Sequence, residues 1–365
     1  MRLTERLMYV FGIAFAIAYG FESFIWCIVF IVILSVVLIA GMIYEGFRFF
    51  QWIFLIVFIP QCFLVFMGEY NLIAEIILCL VILCGILSSI LFGEATFDRL
   101  KLTGPFQVGH KDIHITSTGN AISVFYPMDK HVYAEIMANE PERNSMWARY
   151  GYNTRLGGAR ATAPWGSDKH SHPFVWKFIE NTRMLTVEDG PLAKVFWTDN
   201  EAERKPLIPM LYSHGLTSCR TFQSGSCKDF ASHGYIVFAI DHHDGTCNYS
   251  RLKNGDDKYW TSLINPEDWD NWISRLEIRL TESTGMIDDL YDQQNLVQNT
   301  LGFSPNVRLD LNKLIVGGHS FGGMSAAYTA FREPRVKMLF GFDAWIWAAL
   351  SKVHAGKFII KQPQY

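Results

Sequence analysis

The sequence predicts an α/β domain with a mostly parallel, doubly wound sheet, preceded by an α-helical transmembrane region. Three observations predict it. Half of the 365 residues are apolar, and the excess crowds into residues 7–93, after which the composition is that of an ordinary soluble protein. Beyond residue 97, continuous apolar runs alternate with a helical pattern, as parallel strands covered on both faces do. Near the end, "LIVGGHSFGGMSAAYTA" (314–330) reads as a buried strand, a tight glycine turn bearing a serine, and a small-residue helix.

The membrane region comes first. Apolar stretches cover residues 7–21, 23–44, 52–67 and 76–93. A hydrocarbon core of ~30 Å needs about 20 helical residues. The second stretch spans, and the fourth spans if it begins near Leu72, which takes Glu75 into the headgroup zone as a snorkelling interface residue. The first and third are short enough to tilt or to re-enter. The length of the apolar run and the further spans after it make a cleaved signal peptide a poor reading. Arg2 and Arg6 precede the first span, Arg48 separates the second from the third, and Arg99 and Lys101 follow the fourth. The loops around Glu22 and Glu69 carry no Lys or Arg. About four spans therefore put both ends on the cytoplasmic side, while three would turn the second domain to the opposite face. The expected division is 1–95 for the membrane region and 96–365 for the soluble domain.

The net charge of −3, with no basic run to neutralise phosphates, argues against a nucleic-acid partner. Seven cysteines show neither metal-ligand spacing nor a disulfide framework, and the three beyond the apolar region (Cys219, Cys227, Cys247) fit a reducing compartment. The sequon Asn248-Tyr249-Ser250 reads as a chance match.

In the soluble domain "ISVFYP" (122–127) alternates like an early strand, whereas residues 136–203 show no clear period and read as a long excursion over the core. "PLIPMLYSHGL" (206–216) is a buried strand entering a loop, and "FASHGYIVFAIDHHDG" (230–245) a helix end, a turn and a second strand. Trp272, Ile273, Leu276, Leu280, Ile287 and Leu290 recur at helical spacing within 271–300. "NKLIV" (312–316), "VKMLFGFDAW" (336–345) and "KFII" (357–360) supply a third, fourth and fifth strand.

Gly318-His319-Ser320-Phe321-Gly322 matches G-x-S-x-G, and its setting between strand and helix is the one that a nucleophile elbow requires. Glycines two before and two after the serine leave room where a Cβ has none. The plainer alternative is a glycine turn whose serine caps a helix. Acyl transfer also needs amides aimed at the developing oxyanion; Phe321, after the nucleophile, and Leu216, in the "SHGL" loop, stand where they are expected. His214 and His319 read as structural, the latter with its side chain leaving the turn away from the pocket. Asp343 ends the strand after the elbow, as the acid that orients a histidine would; capping the next helix is the alternative.

The combination "LYSHGL…RTF…DFASHGYIVFAIDHHDG", "GGHSFGG" and "FDAWIW", with "GPFQVGHKDI" and "VFYP" before it, resembles the platelet-activating factor acetylhydrolases, over about residues 104–362. The resemblance implies an α/β-hydrolase fold with Ser320 as nucleophile, Asp343 as acid, the Leu216 and Phe321 amides as oxyanion hole, and Trp345 lining the acyl pocket. It implies hydrolysis of short or oxidised sn-2 acyl chains of phospholipids, with phospholipid as partner and without metal or cofactor. Two departures accompany it. The multi-span anchor lies outside the family pattern, since its members are usually secreted, soluble or lipid-anchored. The family histidine belongs to a loop after a strand that would follow "KFII", so the hydrolase domain is expected to lack its last strand and helix and the catalytic-histidine loop. His354, before "KFII", is read as an exposed loop residue. A catalytically inactive lipid-binding or assembly subunit on the same fold, and a different esterase or lipase, remain as alternatives.

Overall fold

The structure is a computed structural model describing residues 3–45, 49–91, 101–162, 173–261, 267–356 and 358–363. The domain boundary expected at 95/96 and the orienting residues Arg2, Arg48 and Arg99 lie outside the described residues. The chain forms two compact units, Met1–Arg99 with Pro173–Asn181, and Leu100–His172 with Thr182–Tyr365.

The first unit packs α1 (Leu3–Gly20), α2 (Phe24–Ala40), α3 (Phe49–Met67) and α4 (Leu72–Leu91). Leu3–Gly20, Phe24–Ile43 and Leu72–Ile90 are each long and apolar enough to cross a membrane, and the apolar part of α3, Gln51–Met67, is shorter. The bundle is apolar outside as well as in. Phe15, Leu34, Phe54 and Phe58 fill its centre, while Ile25, Ile56, Leu72 and Ile73 are at least two-thirds exposed. Polar side chains go inward instead: Glu5 and Gln61 are buried, Ser89 Oγ donates to Glu5 Oε1 at 2.9 Å, and Gln61 donates to the Ala74 carbonyl beside Pro60. Glu75 is half-buried at the start of α4, where a methyl on Gly20 would fall 2.5 Å from its Oε1.

The second unit carries β1 (Gln107–His114), β2 (Ala121–Met128), α5 (Lys130–Asn139), β3 (Asn144–Met146), α6 (Gly151–Ala161), β4 (Arg183–Glu188), β5 (Ile208–Ser213), α7 (Ser224–Ser232), β6 (Tyr235–Ile240), the small hairpin β7 (Tyr249–Arg251) and β8 (Asp257–Tyr259), α8 (Trp269–Tyr291), β9 (Ile315–His319), α9 (Phe321–Arg332), β10 (Met338–Phe342) and α10 (Leu350–His354). Eight strands make one mixed sheet in the order β10-β9-β5-β6-β2-β1-β4-β3. The β10-β9-β5-β6 half is parallel throughout, and β2 runs against both β6 and β1. All eight residues of β2 are buried, because one apolar layer, around Trp272, Leu276 and Met324, covers one side of the sheet and a second, around Cys227, Ala231 and Phe340, the other. This is the mostly parallel, helix-covered sheet of the α/β-hydrolase fold.

Residues 136–203 are more regular than the sequence reading allowed, since they supply β3, α6 and β4. Their strands are short and edge-placed, so no long apolar run marks them. The expected strand at "KFII" does not form in the described residues 358–360. Phe358 and Ile360 pack against the core, and among the described residues the backbone joins β10 where the Leu339 amide donates to the Pro363 carbonyl at 3.0 Å. The sequon asparagine, Asn248, is fully buried, in keeping with a chance match.

Candidate active site

Chain direction creates the site. From β5 the chain goes through α7 to β6 on one side, then α8 carries it back to β9 on the other side of β5. The loops after β5 and β9 therefore diverge, opening a crevice at the carboxyl ends of the strands. Register makes these ends level: Ser213 pairs with Gly318, and His319 with Phe342. Segments more than 100 residues apart thus meet at one height, bringing together the loops of Leu216, Ser320 and Asp343.

Ser320 sits between β9 and α9 with φ 55° and ψ −121°. Its amide donates to the Phe342 carbonyl at 2.9 Å, and its carbonyl accepts from the Trp345 amide at 2.9 Å, so the turn carrying Asp343 is stitched to the serine on both sides. The approach of α9 to β5 depends on glycine: a Cβ on Gly322 would lie 2.1 Å from the Ser213 carbonyl oxygen, and one on Gly318 2.5 Å from Gly322. Among the described residues the Ser320 hydroxyl and the Leu216 and Phe321 amides make no hydrogen bond. Among the described residues six non-glycine residues have positive φ, and three of them are Thr217 (61°), Ser320 (55°) and Asp343 (48°). Strain of this kind persists only where surrounding structure imposes it, and it clusters at functional sites; here it marks the three loops that meet.

The other candidates fall around this centre. Gly215 passes the serine closely, a Cβ there lying 3.2 Å from Ser320 Cβ and 3.2 Å from His319 Nδ1. The His319 ring, expected to leave the turn away from the pocket, is thus beside the Leu216 loop. Trp345 packs edge-on against Trp272 (centroids 4.9 Å apart) and against Phe321 (5.9 Å). Asp343 is exposed, and His354 is exposed at the end of α10. Among the described residues no histidine is hydrogen-bonded to Asp343 or to the Ser320 hydroxyl. A cavity of about 490 Å³ lies along α9 and β10, lined by Met324, Ala327, Leu339, Ala344, Ile346 and Phe358; Ser320 and Trp345 do not line it.

Beneath the crevice lies a polar cluster that the sequence reading missed. His214 Nδ1 meets the Gly215 carbonyl at 2.7 Å, and Nε2 accepts the His242 amide at 3.1 Å, so both ring nitrogens are committed to backbone. This fits a structural role, as expected. It also bears on the group formed by His214, Asp241 and Cys247, whose ligand atoms lie within 4.8 Å of one another. Besides the commitments of His214, Asp241 accepts from the Arg220 amide at 2.6 Å and from its guanidinium, so the group serves as a hydrogen-bond junction. His242 bonds Glu282 Oε2 through Nδ1 at 2.7 Å and Ser213 Oγ through Nε2 at 3.1 Å. The available signal was charge on a buried face: Arg275, Arg279 and Glu282 interleave with Trp272, Leu276 and Met286 along α8.

Burial, helped by the Arg279 guanidinium, pushes His214 down to about 3 and His242 well below the ordinary imidazole value, whereas burial pushes Glu282 up to about 7. Between pH 6.5 and about 3 the unfolded chain binds a proton at His214 that the folded chain refuses, so stability is complete above this window and is lost on acidification, at about 1.4 kcal/mol per pH unit. His242 acts in the same sense. Glu282 opposes them from about 4.5 to 7, where the folded chain holds the extra proton, so its contribution falls as pH rises. Two histidines outweigh one carboxyl. The thermal midpoint is expected to drop as pH falls from 6.5 to 4.5, and to drop more steeply in Glu282→Gln, which lacks the offset. A flat profile in both proteins would contradict this.

Comparison with known proteins gives consistent matches. The family described as "Platelet-activating factor acetylhydrolase, isoform II" matches residues 93–364. A platelet-activating factor acetylhydrolase of Canis lupus familiaris is 30% identical over 163 residues, 40% of this chain and 36% of that protein. The one from Cavia porcellus is 24% identical over 282 residues, 72% of this chain and 59% of that protein. The chain thus spans between about a third and three-fifths of the length of the curated relatives it matches. Among solved structures, a ferulic acid esterase from Streptomyces cinnamoneus aligns with a TM-score of 0.40 and 16% identity, covering 72% of this chain and 74% of that one.

Proposed function

The chain belongs to the platelet-activating factor acetylhydrolase family, and from that premise we propose that it is a membrane-anchored serine esterase cleaving the short or oxidised sn-2 acyl group of phospholipids. One observation carries the reading: the loops that hold Leu216, Ser320 and Asp343 leave β5, β9 and β10 at level strand ends, each with a residue of positive φ, which supports assigning a serine, two backbone amides and a carboxylate to one site. In this reading Ser320 Oγ attacks the acyl carbonyl, and the negative charge that develops on its oxygen is held by the Leu216 and Phe321 amides. The lysophospholipid leaves, and water then releases the acyl group from the serine. Asp343 is assigned to orient and stabilise the imidazole that must take the serine proton and hand it to the departing lysophospholipid oxygen; no described histidine stands in that place. Trp345 lines the acyl side, and Gly318, His319 and Gly322 shape the elbow. No metal or cofactor takes part.

The apolar exterior of the first unit supports the anchor, because large apolar side chains at most outward positions of its helices suit lipid rather than water. With about four spans, the Lys and Arg distribution supports a cytoplasmic hydrolase domain. A second reading, a catalytically silent lipid-binding or assembly subunit, is favoured by one fact: no described histidine reaches Ser320 or Asp343.

The full chain, reconstituted in detergent micelles, is expected to react with a fluorophosphonate probe at Ser320, located by peptide mass. It is also expected to release acetate from 2-acetyl phosphatidylcholine at least about tenfold faster than palmitate from the 2-palmitoyl analogue. Equal rates on the two would point to another esterase of the same fold. Neither labelling nor release would leave the silent subunit.

A further inference from the structure

We propose that Arg279 is the positioning residue of the oxyanion site, one buried guanidinium tying together the two turns that carry the Leu216 and Phe321 amides. The inference rests on the esterase reading above and deepens it. Arg279 is fully buried on α8 and pairs with the equally buried Asp244, Nε to Oδ2 at 2.7 Å. That pair already compensates the charge, yet three of the four remaining N–H donors are used as well. Nη1 donates to the His214 carbonyl at 2.8 Å, two residues before Leu216, and to Ser325 Oγ at 3.1 Å. Ser325 Oγ in turn donates to the Phe321 carbonyl at 2.8 Å, and the guanidinium lies over the Phe321 ring, 4.4 Å from its centroid. Nη2 reaches Thr246 Oγ1, whose residue also accepts the Thr217 amide through its carbonyl at 2.9 Å. Leu216 is therefore held two residues upstream and one downstream by the same cluster, and Phe321 by its ring and its carbonyl.

Stability alone does not call for this arrangement. A buried ion pair is often replaceable by apolar side chains of similar volume at no loss. A flat fork with donors at fixed angles does what apolar packing cannot: it sets the distance between two backbone segments. It also resists the strain at Thr217, a β-branched residue with φ 61° that would relax if its neighbours were released.

Two variants of the full chain test the assignment. Arg279→Lys keeps the charge opposite Asp244 and loses the fork; Arg279→Met combined with Asp244→Leu removes both charges, so no buried carboxylate is left unpaired. With p-nitrophenyl acetate as substrate, kcat is expected to fall by about 10- to 100-fold, less than the roughly 100- to 1,000-fold that follows outright removal of one oxyanion donor because both amides stay in place but loosen, while KM stays within about twofold. Amide exchange should rise in residues 214–217 and 321–325 and stay unchanged in α7. A folded double variant with wild-type kcat overturns the proposal, as does a kcat loss with exchange unchanged in both segments. If the unmodified chain neither turns over ester nor takes up fluorophosphonate, the esterase reading fails separately. Exchange then decides the clamp alone: lost protection in the two segments supports it, and retained protection overturns it.

Discussion

Ser320→Ala should abolish fluorophosphonate labelling and lower ester turnover by at least about three orders of magnitude, while leaving the thermal midpoint where it was. The activity loss follows from removing the attacking oxygen, after which only binding and the oxyanion donors remain to accelerate the reaction. The midpoint holds because alanine keeps the Cβ, and the Ser320 hydroxyl makes no hydrogen bond among the described residues. Ser320→Gly separates function from strain. The serine is held at φ 55° by bonds from its amide to Phe342 and from the Trp345 amide to its carbonyl, and a residue without a Cβ adopts this conformation at little cost. The glycine variant should be equally inactive and more stable, by about 1 kcal/mol or more, read as a higher denaturation midpoint. A glycine variant less stable than the alanine one would mean that the backbone is not strained here. Retained labelling of the alanine variant would mean that another residue is the nucleophile.

That strain was legible as a motif and illegible as a geometry. The strands of the parallel half were readable because "IPMLYS", "YIVFAI" and "IVGGH" are buried on both faces and so carry no polar alternation. The elbow was readable because its glycines flank a serine between two such patterns. β1 was not readable as a strand from pattern alone. Its Lys111 and Asp112 look solvent-facing, but Asp112 is met by Arg149 at 3.2 Å and Arg220 at 3.3 Å, and Lys111 by Asp189 at 3.0 Å. "KFII" failed in the opposite way: its apolar residues suit a strand, and the structure uses Phe358 and Ile360 as side-chain contacts against the core instead. The cluster around Arg279 was hidden for a third reason. A charge on a helix face is normally solvated, and only the return of α8 across the sheet places Asp244 and the His214 carbonyl within its reach. Sequence displays what each element prefers; register and crossing decide which groups meet.

The second large effect is a test of that crossing. Gly322→Ala should cost about 3 kcal/mol or more of stability and, in whatever fraction folds, reduce ester turnover by about 100-fold. A methyl at Gly322 would lie 2.1 Å from the Ser213 carbonyl oxygen and 2.6 Å from that of His214. Neither atom is the end of a flexible side chain. Ser213 closes β5 in register with Gly318, and the His214 carbonyl is held by Arg279. The clash can be relieved only by moving α9 off the sheet or by moving the Leu216 loop. Overpacking of this kind is among the few mechanisms that give single substitutions large stability effects. Either movement, of about 1 Å, also separates the Phe321 and Leu216 amides, a misplacement that costs roughly two orders of magnitude in rate. Gly302→Ala supplies the contrast. Gly302 has φ 67° with nothing within 4 Å of a built Cβ, so its change carries only the conformational penalty of about 1 kcal/mol and should leave turnover alone. Chemical denaturation and ester kinetics on the two variants decide between close approach and backbone conformation as the requirement at the elbow. If Gly322→Ala behaves like Gly302→Ala, α9 does not press on the end of β5, and the proposed juxtaposition of nucleophile and oxyanion donors is wrong.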